Sequence, residues 1–270
     1  MNTLFIGGGN MASAIIGGLI AKNWAPATLH AVDLQQDARS RLAQQFGIAT
    51  SADAIAAAAS ADCIVLAVKP QHMQEAARAL APALKQQLVI SIAAGIRCDA
   101  LSRWLGPAAR IVRAMPNTPA LVAAGITGLY ATPGTTAAQR ADAERILTAV
   151  GATFWVDEEK ALDAVTAVSG SGPAYVFYFI EALEQAARDL GLPPDIARRS
   201  ALATFAGAVK LAAAGDADAA TLRARVTSKG GTTECAIAVL DAAAIKTAFG
   251  KAVRAAAERS AELGDTLGKD

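Results

Sequence analysis

The hydrophobic positions of the first 157 residues form short apolar runs, and longer segments between them place apolar residues at helical spacing. Continuous runs of this length are typical of strands in a parallel sheet that is covered on both faces. They predict strands at residues 4–6, 28–32, 63–68, 88–92, 109–114, 126–131 and 153–156. The intervening segments predict helices at residues 11–23, 37–46, 71–84, 98–105 and 135–150, and a short helix that ends near Ala59 with Ser51 as its N-cap. This alternation predicts an α/β fold, a Rossmann-like doubly wound sheet.

The pattern changes after Val156, because no strand-like run follows it. Helices are predicted at residues 161–168, 173–190, 194–214, 219–226, 232–242 and 245–263. We therefore expect a dinucleotide-binding domain over residues 1–157 and an all-α domain over residues 158–270. The helix after Pro173 is apolar almost all round for three turns, and such a helix is normally buried. We expect a second copy of the chain to supply part of that burial, and we predict a homodimer.

A glycine turn follows the first predicted strand. Its spacing is Gly7-x-Gly9-x-x-Ala12, between a strand and a helix. Gly7 allows the sharp reversal, Gly9 lets the backbone approach a pyrophosphate, and Ala12 allows close packing of the helix on the strand. The free N–H groups at the helix N-terminus favour phosphate. The stretch predicts a dinucleotide site, and a purely structural glycine turn is the alternative.

Asp33 ends the second predicted strand. An acidic residue there accepts hydrogen bonds from the adenosine ribose of NAD and repels a 2′-phosphate. Arg39 in the next helix could instead bind that phosphate, and Asp33 could simply cap this helix from Gln35 onward. The sequence leaves these alternatives open, so we expect either NADPH or NADH as the cofactor.

Small or polar residues follow several other strands: Val68-Lys69-Pro70, Ala93-Ala94-Gly95 and Asn117-Thr118. In doubly wound sheets, ligands bind outside the carboxyl ends of the strands. We therefore expect these segments to line one cleft.

A second glycine-rich segment lies in the helical half, at residues 227–233. It reads TSKGGTT and precedes a predicted helix. Successive N–H groups beside the hydroxyls of Ser228, Thr232 and Thr233 would suit a carboxylate. An ordinary capping loop explains the same residues equally well, since Ser and Thr are favoured N-caps.

Composition and charge narrow the functional classes. The net charge is +1 and the charges are dispersed, so we expect no nucleic-acid or membrane partner. The chain starts directly with its first strand, and we expect no leader peptide. Three widely spaced cysteines and two distant histidines predict free thiols in a reducing cytoplasm and no metal site.

Six phrases of the chain resemble one family over its whole length. They read FIGGGNMASAIIGGL, LAVKPQ, SIAAGI, RAMPNTPA, AVSGSGPAYVF and, at residues 222–241, LRARVTSKGGTTECAIAVLD. This order and spacing resemble the delta-1-pyrroline-5-carboxylate reductases, which carry out the last step of proline biosynthesis. The resemblance implies hydride transfer from NADPH or NADH to the C=N bond of L-1-pyrroline-5-carboxylate, giving L-proline. It also implies a dimer, and leaves open a larger assembly such as a decamer.

The resemblance also implies roles for single residues. Thr233 would be catalytic, with its hydroxyl facing the ring nitrogen. The residues that would hold the substrate are Ser228, Gly231, Thr232 and Thr233. The residues that would hold the cofactor are Gly7, Gly9, Asn10, Met11, Asp33, Ala67, Val68, Lys69, Pro70, Ala93, Ala94, Gly95 and Asn117. Two positions depart from the family pattern: Lys229 stands where many members have proline, and Asp33 where NADPH-preferring members have a small polar residue.

Two other functions fit parts of the sequence. One is a hydroxyacid-dehydrogenase-like enzyme, which would use a lysine in a helix of the second domain. The helix after Gly172 contains no lysine. The other is a non-catalytic NAD(P)-binding sensor, which would have no need of the second glycine loop.

Overall fold

The computed structural model describes residues 1–269, and eight of its strands form one sheet. The strands are β1 (Thr3–Ile6), β2 (Leu29–Val32), β3 (Ala49–Ser51), β4 (Cys63–Leu66), β5 (Leu88–Ser91), β6 (Arg110–Met115), β7 (Gly125–Ala131) and β8 (Gly151–Trp155). Their order across the sheet is β3-β2-β1-β4-β5-β6-β7-β8. All neighbours pair in parallel except β6 and β7, which are antiparallel. The strand order reverses between β1 and β4, and such a reversal marks the ligand crevice of a doubly wound sheet.

The helices are α1 (Asn10–Ala21), α2 (Gln36–Phe46), α3 (Ala54–Ala58), α4 (Met73–Leu80), α5 (Cys98–Leu105), α6 (Ala137–Leu147), α7 (Ala161–Val165), α8 (Gly172–Asp189), α9 (Pro194–Ala213), α10 (Ala219–Arg225), α11 (Thr232–Ala242) and α12 (Ile245–Leu267). Short 3-10 turns cover Pro26–Thr28, Pro70–His72, Ala81–Ala83, Thr118–Val122 and Thr148–Val150, and a π turn covers Thr166–Gly170.

Two apolar layers cover the two faces of the sheet. Side chains alternate along β1, so Phe5 belongs to one layer while Leu4 and Ile6 belong to the other. The first layer includes Ile16 of α1, and the second includes Met73 of α4. Burial on both faces explains why the strands read as continuous apolar runs.

The chain forms two compact units. One comprises Met1–Ser171 together with the stretch that begins at Ala255, and the other comprises Gly172–Arg254. The sheet lies wholly in the first unit, and the described part of the second is helical. The predicted fold class is confirmed. The domain limits predicted from the sequence, residues 1–157 and 158–270, differ from these units and stay a prediction.

Four local predictions were wrong. Ser51 is the last residue of β3, and Asp53 caps α3 by accepting hydrogen bonds from the N–H groups of Ile55 and Ala56 at 2.9 and 3.0 Å. The predicted helix over 71–84 begins and ends as 3-10 turns, each with a proline that cannot donate a helical hydrogen bond. The helix predicted over 161–168 is α-helical only to Val165 and continues as the π turn, while α12 extends to Leu267.

The C-terminal part of α12 packs within the first unit. The guanidinium of Arg97 donates to the Asp265 carboxylate at 2.6 Å and to the Ala261 carbonyl at 3.0 Å. The hydroxyl of Ser260 donates to Asp163 at 2.7 Å. Within residues 1–269, none of the helices has both the length and the apolar character needed to cross a membrane.

Candidate functional site

The glycine turn after β1 has the geometry that a dinucleotide site requires. Gly7 has φ +101°, and its N–H donates to the Val32 carbonyl at 2.7 Å. A Cβ at this position would lie 2.8 Å from the carbonyl oxygen of Ala67 at the end of β4. Gly9 is the N-cap of α1, and no side chain caps this helix. A Cβ on Gly9 would meet nothing within 4 Å, so a phosphate can approach the backbone there.

A cleft of about 990 Å³ opens beside this turn, at the β1/β4 switch point. Six of the predicted cofactor residues line it: Gly7, Gly9, Asp33, Ala67, Val68 and Lys69. Seven do not: Asn10, Met11, Pro70, Ala93, Ala94, Gly95 and Asn117. Asn10 and Met11 form the first turn of α1 directly after Gly9, and Pro70 directly follows Lys69. The convergence of strand ends is therefore seen for β1, β2 and β4.

Asp33 lines the cleft and does not act as the N-cap of α2. Its Oδ2 atom accepts a hydrogen bond from Gly8 N at 2.7 Å, and its Oδ1 atom accepts from Gln35 N at 2.8 Å. The N-cap residue of α2 is Gln35, and no side chain caps the helix. Asp33 thus ties the end of β2 to the glycine turn.

The segment after β5 contains Ala93, Ala94 and Gly95. It packs against α12 at Gly95. Gly95 has φ +72°, and a Cβ there would lie 3.2 Å from Leu263 Cβ. The segment ends at Cys98, whose N–H donates to Glu159 Oε1 at 2.7 Å. The same oxygen accepts from the Arg113 guanidinium at 2.9 Å, and the Arg113 side chain is only 4% exposed.

Asn117 follows β6, and its side chain forms a hydrogen bond within the protein. It is buried, and its side-chain oxygen accepts from Ile126 N at 2.9 Å. This bond fixes the loop before β7, so the oxygen is already engaged within the protein.

The second glycine loop lies in the helical unit, between α10 and α11. Gly231 is the N-cap of α11, and no side chain caps that helix either. The N–H of Gly231 donates to the Ser228 carbonyl at 3.0 Å. A Cβ on Gly231 would lie 2.6 Å from Ser228 Oγ, so the serine hydroxyl lies close to the Gly231 backbone. The loop thus brings Ser228 beside the uncapped start of α11, where Thr232 and Thr233 are the first two residues.

Glu234 organises this loop in a way that the sequence did not indicate. Its carboxylate accepts from Gly230 N at 2.7 Å, and Gly230 has φ +73°. Ser228, Lys229 and Thr232 are exposed in the single chain, and Thr233 is half-buried. A side chain of α11 itself therefore stabilises the loop conformation. The side chain of Lys229 is exposed in this turn.

The two buried cysteines, Cys63 and Cys98, show no sign of nucleophilic activation. Burial raises the pKa of the Cys63 thiol, and burial together with the nearby Glu159 carboxylate raises the pKa of Cys98. Both groups therefore remain protonated thiols, which are poor nucleophiles. Within residues 1–269, His, Cys, Asp and Glu side chains form no cluster of three or more that could hold a metal ion.

The sequence did not predict the hydrogen bonds that three acids make within the protein: Asp53, Glu159 and Glu234. Asp53 could have been found, because Asp directly before a helix is a favoured N-cap. Glu159 could not, because its partner Cys98 is 61 residues away in the chain.

The fold and the cleft define a dinucleotide-binding protein of the Rossmann type. Two family models match the chain: "NADP oxidoreductase coenzyme F420-dependent" over residues 3–95 and "Pyrroline-5-carboxylate reductase dimerisation" over residues 159–263. A pyrroline-5-carboxylate reductase from Pseudomonas aeruginosa is 47% identical over 98% of this chain and 97% of its own length.

Two solved structures are similar over nearly the whole chain. A pyrroline-5-carboxylate reductase from Coxiella burnetii has a TM-score of 0.93 at 42% identity, covering 97% of this chain and 98% of its own. The pyrroline carboxylate reductase of Plasmodium falciparum, solved with NADP bound, has a TM-score of 0.88 at 29% identity and covers 98% of each chain. The chain belongs to the pyrroline-5-carboxylate reductase family, and the predicted family and oxidoreductase class are confirmed.

Proposed function

We propose that this chain reduces L-1-pyrroline-5-carboxylate to L-proline, the last step of proline biosynthesis, with NADPH or NADH as the hydride donor. The observation that supports this most strongly is the 47% identity to the P. aeruginosa reductase over 98% of the chain. That similarity spans both glycine-rich loops.

The cleft of the first unit would hold the dinucleotide. Its residues fit such a group, because the Gly9 backbone is open and α1 lacks a side-chain cap. Gly7, Gly9, Asn10 and Met11 would hold the pyrophosphate, and Asp33 would contact the adenosine ribose. Ala67, Val68, Lys69 and Pro70 would line the nicotinamide side, together with Ala93, Ala94, Gly95 and Asn117. The bound cofactor would supply a hydride, which carries two electrons to the imine carbon.

The loop before α11 would hold the imino acid. Ser228 and the backbone N–H groups of Thr232 and Thr233 would bind the substrate carboxylate, with Gly231 in the same loop, helped by the positive end of the α11 dipole. The Thr233 hydroxyl would donate a hydrogen bond at the ring nitrogen, where a proton must be present as the carbon is reduced. A protonated imine is already an electrophile, so the protein acts chiefly by orienting the reactants.

The two rival functions receive less support. A hydroxyacid-dehydrogenase-like enzyme would need an acid/base lysine in the helical half, and α8 contains none. A sensor would not require a second small-molecule site, yet Ser228 lies beside the uncapped start of α11.

The domain roles and assembly belong to the same proposal. Residues 1–157 would bind the cofactor, and residues 158–270 would bind substrate and dimerise. Large apolar side chains of the helical unit are exposed in the single chain, including Phe177 at 64% and Tyr178 at 69%. Exposed apolar side chains of this size are typical of a subunit interface, and a second copy would cover them. Two buried free thiols, Cys63 and Cys98, accord with a reducing cytoplasm.

The test is to mix the purified protein with racemic pyrroline-5-carboxylate and either reduced cofactor. We expect oxidation of at least one cofactor that depends on both enzyme and substrate. If neither cofactor is oxidised at micromolar enzyme, the proposed function is wrong.

A further inference from the structure

The cleft carries more negative than positive side chains. Three carboxylic acids line it, Asp33, Asp53 and Glu75, against one lysine, Lys69, and one histidine, His72. Asp53 also caps α3, where two backbone N–H groups hold its carboxylate in place. A 2′-phosphate carries close to two negative charges, and like charges at short range repel.

The Asp33 carboxylate is oriented by the backbone on both sides. Gly8 N binds one oxygen and Gln35 N binds the other. Each carboxylate oxygen has two lone pairs, so each can accept one further hydrogen bond. Because Gly8 belongs to the pyrophosphate turn, Asp33 lies where the two ribose hydroxyls of an adenosine would reach it.

The two arginines nearest in sequence to Asp33 each donate to backbone carbonyls of the loops beside the cleft. Arg39 Nη1 donates to the backbone carbonyls of Asp33 and Leu34, at 2.7 and 3.0 Å. Arg41 Nη2 donates to the Gly8 carbonyl at 2.6 Å, and Arg41 lines a separate cavity beside α1. Neither arginine lines the cofactor cleft.

We propose that Asp33 is a specificity-determining residue that makes NADH the preferred cofactor of this chain. It accepts hydrogen bonds from the adenosine ribose and repels a phosphate on the 2′-hydroxyl. We expect Arg39 not to contact that phosphate, because it does not line the cleft and its Nη1 atom is bonded to backbone carbonyls of the loop after β2. This inference rests on the proposed function and goes beyond it, since the reductase reaction is compatible with either cofactor.

The test is a direct binding titration of the full-length protein with NADH and with NADPH, followed by nicotinamide fluorescence without the imine. We expect NADH to bind about tenfold more tightly or better, a ratio that corresponds to about 1.4 kcal/mol. In Asp33→Asn the remaining oxygen can still accept from Gly8 N while the charge is gone, and we expect the ratio to fall to about one. Asp33→Ser removes both carboxylate oxygens and their charge and should shift the ratio in the same direction.

Arg39→Ala is the matched control, and it should leave the NADH/NADPH ratio unchanged. Equal or tighter binding of NADPH by the unaltered protein would overturn the inference while leaving the proposed function intact. A selective loss of NADPH binding in Arg39→Ala would overturn it as well. Binding of neither dinucleotide would refute the proposed function and the inference together.

Discussion

Replacing Gly7 by alanine tests the geometry of the cofactor turn most sharply. At φ +101° an L-residue is strained by about 1–2 kcal/mol. The new Cβ would also lie 2.8 Å from Ala67 O, 2.9 Å from Ala67 C and 3.0 Å from Val68 N. These are backbone atoms at the end of β4, which cannot rotate away, and overpacking of this kind costs about 1–3 kcal/mol. We expect Gly7→Ala to lower the free energy of unfolding by about 2–5 kcal/mol.

Two other glycines separate the causes of that loss. Gly106 has nearly the same φ, +99°, but a Cβ there meets nothing within 4 Å. Gly106→Ala should therefore show conformational strain alone, about 1–3 kcal/mol at its φ of +99° and ψ of +150°. Gly9 has φ −71° and open space around it, so Gly9→Ala should stay within about 1 kcal/mol of the unaltered protein. Its methyl group would instead occupy the space assigned to the pyrophosphate, and dinucleotide affinity should fall about tenfold or more.

The assay is urea denaturation at one fixed protein concentration, because any dimer makes apparent stability depend on concentration. Dinucleotide affinity is measured in parallel by fluorescence titration. If Gly7→Ala unfolds at the same urea concentration as Gly106→Ala, the close approach of the turn to β4 does not contribute to the loss of stability. If Gly9→Ala binds dinucleotide normally, the pyrophosphate does not lie against this backbone.

Three further predictions concern the rest of the site. Thr233→Ala should lower kcat/KM about tenfold to hundredfold while dinucleotide affinity stays unchanged, and Thr233→Ser should restore most of the activity; unchanged steady-state constants would remove Thr233 from the site. Glu159→Ala leaves the buried Arg113 guanidinium without its carboxylate and should cost about 3 kcal/mol in urea denaturation, so a loss below about 1 kcal/mol would contradict the importance of this pair. Phe177→Asp places a charge on the exposed apolar face of α8 and should shift light scattering from dimer towards monomer; a monomer in the unaltered protein would contradict the dimer itself.

The parts of the fold that follow from local sterics could be predicted from the sequence. The glycine turn is such a case, because the positive φ of Gly7 and the close approach of Ala67 admit no side chain. The strands β1, β4 and β5 were also predictable, since burial on both faces leaves a continuous apolar run. The polar edge strand β3 was not, because its three residues carry no such signal.

Contacts between residues that are far apart in the chain could not be predicted from the sequence. The role of Asp33 stayed open because it depends on Gly8, which is 25 residues away. The segment after β5 is held by Glu159 and by α12, which bind Cys98 and Arg97. Both contacts join residues that are distant in the sequence. Glu234 was missed for a different reason: its carboxylate turns back onto Gly230, only four residues away, and an acid in the first turn of a helix is common enough to draw no notice.

The most direct test of the proposed reaction follows the hydride itself. The protein is supplied with pyrroline-5-carboxylate and a reduced nicotinamide cofactor that carries deuterium at the transferable position of its ring, and the product is examined by mass spectrometry. The account predicts one proline formed for each cofactor oxidised, with a single deuterium on the ring carbon that was doubly bonded to nitrogen. Cofactor oxidation without deuterated proline, or proline that carries no label, would contradict it.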